Sequence, residues 1–172
     1  MSELDTLIDA VFSDRDLQPE DVPRLDLYMD QVLSLFDDGF APQKRDPSDK
    51  LLTKTMVHNY VKEGLISPVR GKKYTRQQIM QLLCVYHLKQ ELRLSDVKTE
   101  DVDFEAAYAR LLESKERIRA IVPPLLRELQ TDPPHSPDER LALCLTLSEI
   151  ACYLRRLCES LIDAIPEQTG GK

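Results

Sequence analysis

Glycine is scarce in this chain, with five residues in 172. That scarcity, with few runs alternating apolar and polar residues, argues against a sheet-built protein and for a mostly helical one. No apolar stretch approaches the ~20 residues that cross a bilayer as a helix, so no membrane partner is expected. The start, Met-Ser-Glu-Leu-Asp-Thr, lacks the basic segment and apolar stretch of a secretory signal, which predicts a cytoplasmic location. Cys84, Cys144, Cys152 and Cys158 form no Cys-x-x-Cys pair and no zinc-type grouping with histidine. They sit in helical apolar patterns, Cys144 and Cys158 on nearly one face, and read as buried reduced thiols. His58, His87 and His135 are dispersed, without carboxylate or cysteine partners at a diagnostic spacing. There is no glycine loop to cradle a phosphate. The expectation is therefore no enzyme activity, no catalytic residue, no metal and no cofactor.

Charge is present, and unevenly. The chain carries a net −7. Residues 1–43 hold eleven acidic and two basic side chains, whereas 44–76 hold three acidic and nine basic, a local net of +6. The remainder, 77–172, is again acidic, at −4. A confined basic patch on an acidic protein can neutralise phosphates. The alternative is a solvated loop whose charge keeps the chain soluble.

At 172 residues the chain suits one ordinary domain, or one domain with a helical extension, and 42% hydrophobic content can supply its core. Leu4, Leu7, Ile8, Val11 and Phe12 predict a short amphipathic helix, and the acidic stretch Asp14 to Pro23 a connector. Leu25, Leu27, Tyr28, Val32, Leu35 and Phe36 recur at helical spacing up to Gly39. A proline-bearing loop from Ala41 to Lys50 follows. Thr53 caps a short helix that stops at Gly64. Thr75 and Gln78 form a capping box for a helix carrying Ile79, Leu82, Leu83, Tyr86 and Leu92 inward to about Arg93, and Ser95 is a candidate cap for a further turn. A long helix begins near Asp101 or Asp103. Pro123 and Pro124 are expected to kink or break it. After a loop from Thr131 to His135, Ser136-Pro137-Asp138-Glu139 signals another helix start. Leu143, Leu147, Ile150, Leu154, Leu157 and Leu161 then alternate by fours and threes, the seam of a coiled coil or bundle. Two long helices joined by a short loop predict an antiparallel hairpin. That hairpin buries the seam within one chain, or the seam joins two chains as a homodimer.

The stretch from Thr53 to Ile66 (Thr-Lys-Thr-Met-Val-His-Asn-Tyr-Val-Lys-Glu-Gly-Leu-Ile), with Pro68 and Lys72-Lys-Tyr-Thr-Arg-Gln-Gln-Ile79, resembles the DNA-binding motif of MerR-type regulators. It is still more similar to domain-of-unknown-function family 1836, whose upstream Leu-Tyr-Met-Asp-Gln-Val-like helix is matched by Leu27 to Val32; the resemblance covers about residues 24–98. His58 and Asn59 stand where MerR proteins place an arginine and a tyrosine. The wing is shorter, and the helix at 25–37 precedes Thr53 by a longer connection.

These readings predict an all-α protein. Residues 1–23 form an acidic helix and connector, 24–98 a MerR-like winged helix-turn-helix module, 99–165 a C-terminal antiparallel helical hairpin, and 166–172 a flexible tail. The resemblance implies a transcriptional regulator that binds double-stranded DNA. The alternative is a protein-interaction or small-ligand-sensing helical module without DNA binding. The candidate contacts are Lys54, Thr55, His58, Asn59, Lys62, Arg70, Lys72, Lys73 and Arg76. Asn59 suits a bidentate contact to adenine, and the cations suit phosphates. His58 and Asn59 also suit capping or turn-stabilising bonds. Met56, Val57, Tyr60 and Val61 read as packing residues, and Tyr74 as a wing anchor.

Overall fold

In the computed structural model, which describes residues 2–97, 102–129 and 134–164, hydrogen-bonded caps open most of the helices where the sequence places them. In helix α1 (Glu3–Phe12) the Ser2 hydroxyl accepts from the Asp5 N–H, and the Asp5 carboxylate accepts from the Ser2 N–H. Residues 27 and 28, expected to be helical, are instead extended. They form β1 (Leu27–Tyr28), antiparallel to β2 (Lys73–Tyr74), with Leu27 opposite Tyr74 and Tyr28 opposite Lys73. Helix α2 (Met29–Gly39) starts only after them, and Leu25 is exposed. Apolar spacing could not separate these residues from the helix, because a strand distant in sequence claims their backbone groups. Gly39 ends α2 against the connector, where an added Cβ would lie 2.6 Å from Leu17 Cδ1.

Helix α3 (Lys54–Lys62) is capped by Thr53, whose hydroxyl accepts from the Met56 N–H at 3.2 Å. It closes with the Leu65 N–H on the Tyr60 carbonyl and the Gly64 N–H on Val61, with Gly64 at φ 74°. That pairing needs a left-handed residue, which glycine adopts without a Cβ clash. Helix α4 (Arg76–Leu88) opens on the Thr75–Gln78 capping box. It ends before Arg93, because the chain turns and Leu92 folds back into the core with its N–H on the Leu88 carbonyl. The further turn, Leu94–Asp96, is a short 3-10 segment preceded by Arg93, so Ser95 lies within it and is not its cap.

Helix α4 is the central element, with Ile79, Met80, Leu82, Leu83, Val85 and Tyr86 all buried. Around it one core gathers Leu17 and Val22, Phe36 of α2 and Phe40 just past its end, Val57 and Tyr60 of α3, and Phe104 and Tyr108 further on. Phe40 stacks on Tyr86 at 4.8 Å, and the Tyr108 hydroxyl donates to the Leu17 carbonyl at 2.8 Å.

Helix α5 (Phe104–Leu129) follows Asp103, whose carboxylate accepts from the Ala106 N–H at 3.0 Å. The break expected at Pro123 and Pro124 does not occur, since α5 runs through both. Proline's fixed φ suits a helix even though each ring removes a donor, and ion pairs clamp α5 on both sides. Before the prolines, Lys115 and Arg119 meet Asp14 and Asp16; after them, Arg127 meets Asp5 and Asp9. Much of the acidic excess of the first 43 residues is spent on the cations of α5.

Helix α6 (Pro137–Asp163) has the expected Ser136 cap, first-position proline and Glu139 box. It turns back along α5: Leu143 and Leu147 lie near Leu126 and Leu129, while Ile162 touches the core at the other end. The burial of its seam within the chain is not found. Helix α6 has no buried residue, and Leu147, Ile150, Leu154, Leu157 and Leu161 are exposed. The buried-thiol expectation fails on α6 for the same reason, with Cys144 and Cys158 exposed and Cys152 half-buried; Cys84 of α4 packs half-buried against the core, where burial pushes its thiol up to about 11. One edge of α6 rests on α1 and α5, and no described element covers the rest. The helix start at Asp101, the loop at 131–133 and the tail at 166–172 lie outside the described residues.

His87 sits among the Phe40, Tyr86 and Tyr108 rings, its Nε2 buried without a hydrogen-bond partner among the described residues. Burial, and then Lys115, hold its pKa below the ordinary 6.5, against the pull of Asp16 and Asp14. Above that ordinary value both folded and unfolded chains keep the ring neutral. As pH falls below it the unfolded chain takes up the proton first, so stability declines towards the depressed folded pKa. Melting temperature is therefore expected to fall between pH 7.5 and 5.5, and His87→Phe to flatten that slope. An unchanged slope in the variant would remove His87 as its cause.

Candidate nucleic-acid interface

Helix α3 divides its side chains by period. Val57 and Tyr60 point into the core, with Met56 and Val61 half-buried beside them, as expected of packing residues. Lys54, Thr55, His58, Asn59 and Lys62 are exposed. Thr55, His58, Asn59 and Lys62 follow the spacing that puts residues on one helix face. The side chains of His58 and Asn59 bond to no other described residue, so the capping bonds open to them from the sequence are not made.

The wing is the segment from Pro68 to Tyr74, and buried glutamines of α4 hold its start. Gln78 Nε2 donates to the carbonyls of Ser67 and Pro68, at 3.0 and 3.1 Å. Gln81 accepts from the Ser67 N–H and donates to its hydroxyl, both at 2.9 Å. Gly71, at φ 76°, makes the turn, and β2 ties the far end to β1. Tyr74 is buried, as expected of a wing anchor. The Lys73 ammonium lies 4.9 Å from the Tyr28 ring centre, a cation–π contact that steadies the edge.

Between α3 and the wing lies an open groove of about 570 Å³, with Lys54, His58 and Lys62 on one wall and Lys72 and Gly71 on the other. Arg70 and Lys73 are exposed on the wing beside it. Lys54 is paired with Asp30 at 2.7 Å, but both side chains are largely exposed. Such a pair contributes little and exchanges easily for another anion. Arg76 is placed differently from the other candidates. It donates to the Val22 carbonyl and to Glu105, fastening α4 to the connector and α5.

Gln81 was not singled out from the sequence. Its signal is a polar residue inside the apolar run Ile79-Met-Gln-Leu-Leu83, which in a buried helix requires a partner. Gln81→Leu leaves the Ser67 N–H without its partner and is expected to cost about 1–3 kcal/mol. Amide exchange should then quicken in the wing before it quickens in α5. Equal loss of protection in both would mean that Gln81 serves the core and not the wing.

The family model described as Domain of unknown function (DUF1836) matches residues 17–118. The chain belongs to this family. The DUF1836 match begins at Leu17, the first residue of the main core, and ends midway along α5, so it contains the groove and omits α1 and α6. No curated protein and no solved structure matches the chain.

Proposed function

We propose that this DUF1836 protein is a DNA-binding transcriptional regulator whose α3 enters the major groove of a duplex while the wing follows the backbone. The observation that carries the reading is the groove itself: an exposed helix edge bearing Lys54, His58 and Lys62, facing a basic turn held by buried glutamines, with Asn59 exposed on the same helix beside it. Support for a MerR-like winged helix-turn-helix comes from the element order β1, α2, α3, β2, α4, with the wing strand paired to the strand before the first helix. Asn59 has free donor and acceptor groups for an adenine edge. Lys54, Lys62, Arg70, Lys72 and Lys73 are disposed to meet phosphates, and Thr55 and His58 to meet base edges or sugars. Arg76, engaged within the fold, supports the frame. The protein acts by binding, without catalysis, and works in the cytoplasm. No helix among the described residues is long and apolar enough to cross a membrane.

Selection from random duplex DNA at several salt concentrations tests this. Enrichment of a sequence, with affinity falling steeply as salt rises, is the expected result. No retention at low salt would reject the reading.

A second reading, a ligand-sensing module, has one observation in its favour. A cleft of about 420 Å³ lies between α1, the end of α5 and α6, lined by Leu4, Leu7, Ile8, Leu126 and Leu143, with Arg140 at its edge. That size and apolar lining suit a small molecule.

A further inference from the structure

A helix surrounded by water usually carries charge on every side that lacks a neighbour. Helix α6 does not. From residue 141 to 163 its charges are Glu149, Arg155, Arg156, Glu159 and Asp163. All of them avoid the seam of Leu143, Leu147, Ile150, Leu154, Leu157 and Leu161. They also avoid both flanking rows, Cys144, Ala151, Cys158 and Thr146, Tyr153, Ser160. Apart from half-buried Leu143, every residue of the seam and its flanks is exposed.

We propose that this uncharged face is an interface between two copies of the chain, with the two α6 helices packed antiparallel. The amount of surface suits a second copy. Leu154, Leu157 and Leu161 are 57–62% exposed, and Tyr153 is similarly open. Together with Leu147 and Ile150, and with exposed Leu7 and Val11 of α1 beside the first half of the seam, these side chains leave on the order of 800 Å² of apolar surface, the share one partner gives to a standard interface. A single free chain rarely shows a contiguous patch of that size.

Direction follows from what lies beside each half of α6. The first half is flanked by α1, whose Leu7 and Val11 are themselves exposed. The second half has no such flank. Antiparallel pairing lays the open half of each helix beside α1 of the other copy and covers both sets of side chains. Its layers then join Leu147 to Leu157 and Ile150 to Leu154 of the other copy, a match allowed because the spacing of fours and threes reads the same in both directions. Parallel pairing instead brings together two N-terminal segments that each carry −9 through residue 43. It also sets α1 against α1 and leaves both open halves without a flank. The inference does not depend on DNA binding by the groove.

Light scattering on the eluting full-length protein reads the mass directly. The expected result is twice 19.8 kDa at tens of micromolar, falling to one chain in Leu154→Glu/Leu157→Glu. Both substituted residues are exposed, so an unaltered far-UV helix signal and core melting transition are expected to accompany the change. A monomeric wild type, or a double variant that stays dimeric, overturns the interface. Direction is read by oxidation in a background with Cys144, Cys152 and Cys158 changed to serine. Leu147→Cys/Leu157→Cys should cross-link rapidly, and Leu154→Cys alone should not. Rapid cross-linking of Leu154→Cys alone, which a parallel pair would set against its own counterpart, or none in the double variant, overturns the antiparallel arrangement.

Discussion

Asp16→Ala is expected to lower the free energy of unfolding by about 3 kcal/mol, measured by urea denaturation. The Asp16 side chain is 2% exposed and accepts from both Lys115 and Arg119 of α5. Its neighbour Asp14 shows the balance of forces. Burial works against the Asp14 charge, yet Arg119 and Lys115 hold its carboxyl below the ordinary 3.8. Removing Asp16 leaves Lys115 with Asp14 alone, and Arg119 with Asp14 and its exposed neighbour Glu116. Lys115 and Arg119 are themselves 20 and 23% exposed, so water relieves part of the loss. That places the effect at the lower end for a broken buried pair. The connector carrying Asp16 also brings Leu17 into the core and to Gly39 and Tyr108. The damage should therefore spread to α2 and α5. Asp16→Asn, which keeps the shape and loses the charge, should recover only part of the stability. A loss under ~1 kcal/mol would class the cluster with ordinary surface ion pairs.

The second large effect concerns the groove. Lys62→Glu/Lys72→Glu is expected to weaken duplex binding at least ~100-fold at low salt, and to reduce the slope of log affinity against log salt by about 1.8. The reasoning is that each lysine neutralises one phosphate, and each glutamate adds repulsion. Both side chains are exposed on opposite walls of the groove, so the melting temperature should barely move. Two comparisons separate this from general damage. Asn59→Ala should cost about 1–3 kcal/mol on the preferred sequence and far less on other DNA, with the salt slope kept. Arg76→Ala should lower stability, because it releases Val22 and Glu105, with no selective loss of binding. If the double reversal leaves binding unchanged, the groove is not where DNA sits.

Local signals were legible wherever a residue acts on its own neighbours. Thr53, Thr75 and Ser136 cap the helices expected of them, because a cap bonds within its own first turn. Gly64 closes α3 for the same local reason. Tyr74 reads correctly as an anchor, and Val57 and Tyr60 as core. Of the nine candidate contacts, eight are exposed on α3 or the wing, the faces that helical period and the basic turn assign to them. Arg76 could not be sorted from sequence, since its partners Val22 and Glu105 lie far away along the chain.

The misplaced features share that cause. Strand β1 depends on β2, the passage of α5 through two prolines is accompanied by ion pairs to α1 and the connector, and the exposure of α6 follows from what fails to cover it. The sequence by itself determined a mostly helical chain, the helix starts at Thr53, Thr75 and Ser136, its basic patch and its DUF1836 membership, because period, caps and charge are written in consecutive residues. Only the tertiary structure decided that two glutamines set the wing, that the N-terminal acids neutralise α5, and that most of the α6 seam stays uncovered. Those outcomes depend on which distant groups meet, and burial and pairing energies act on that proximity rather than on order along the chain.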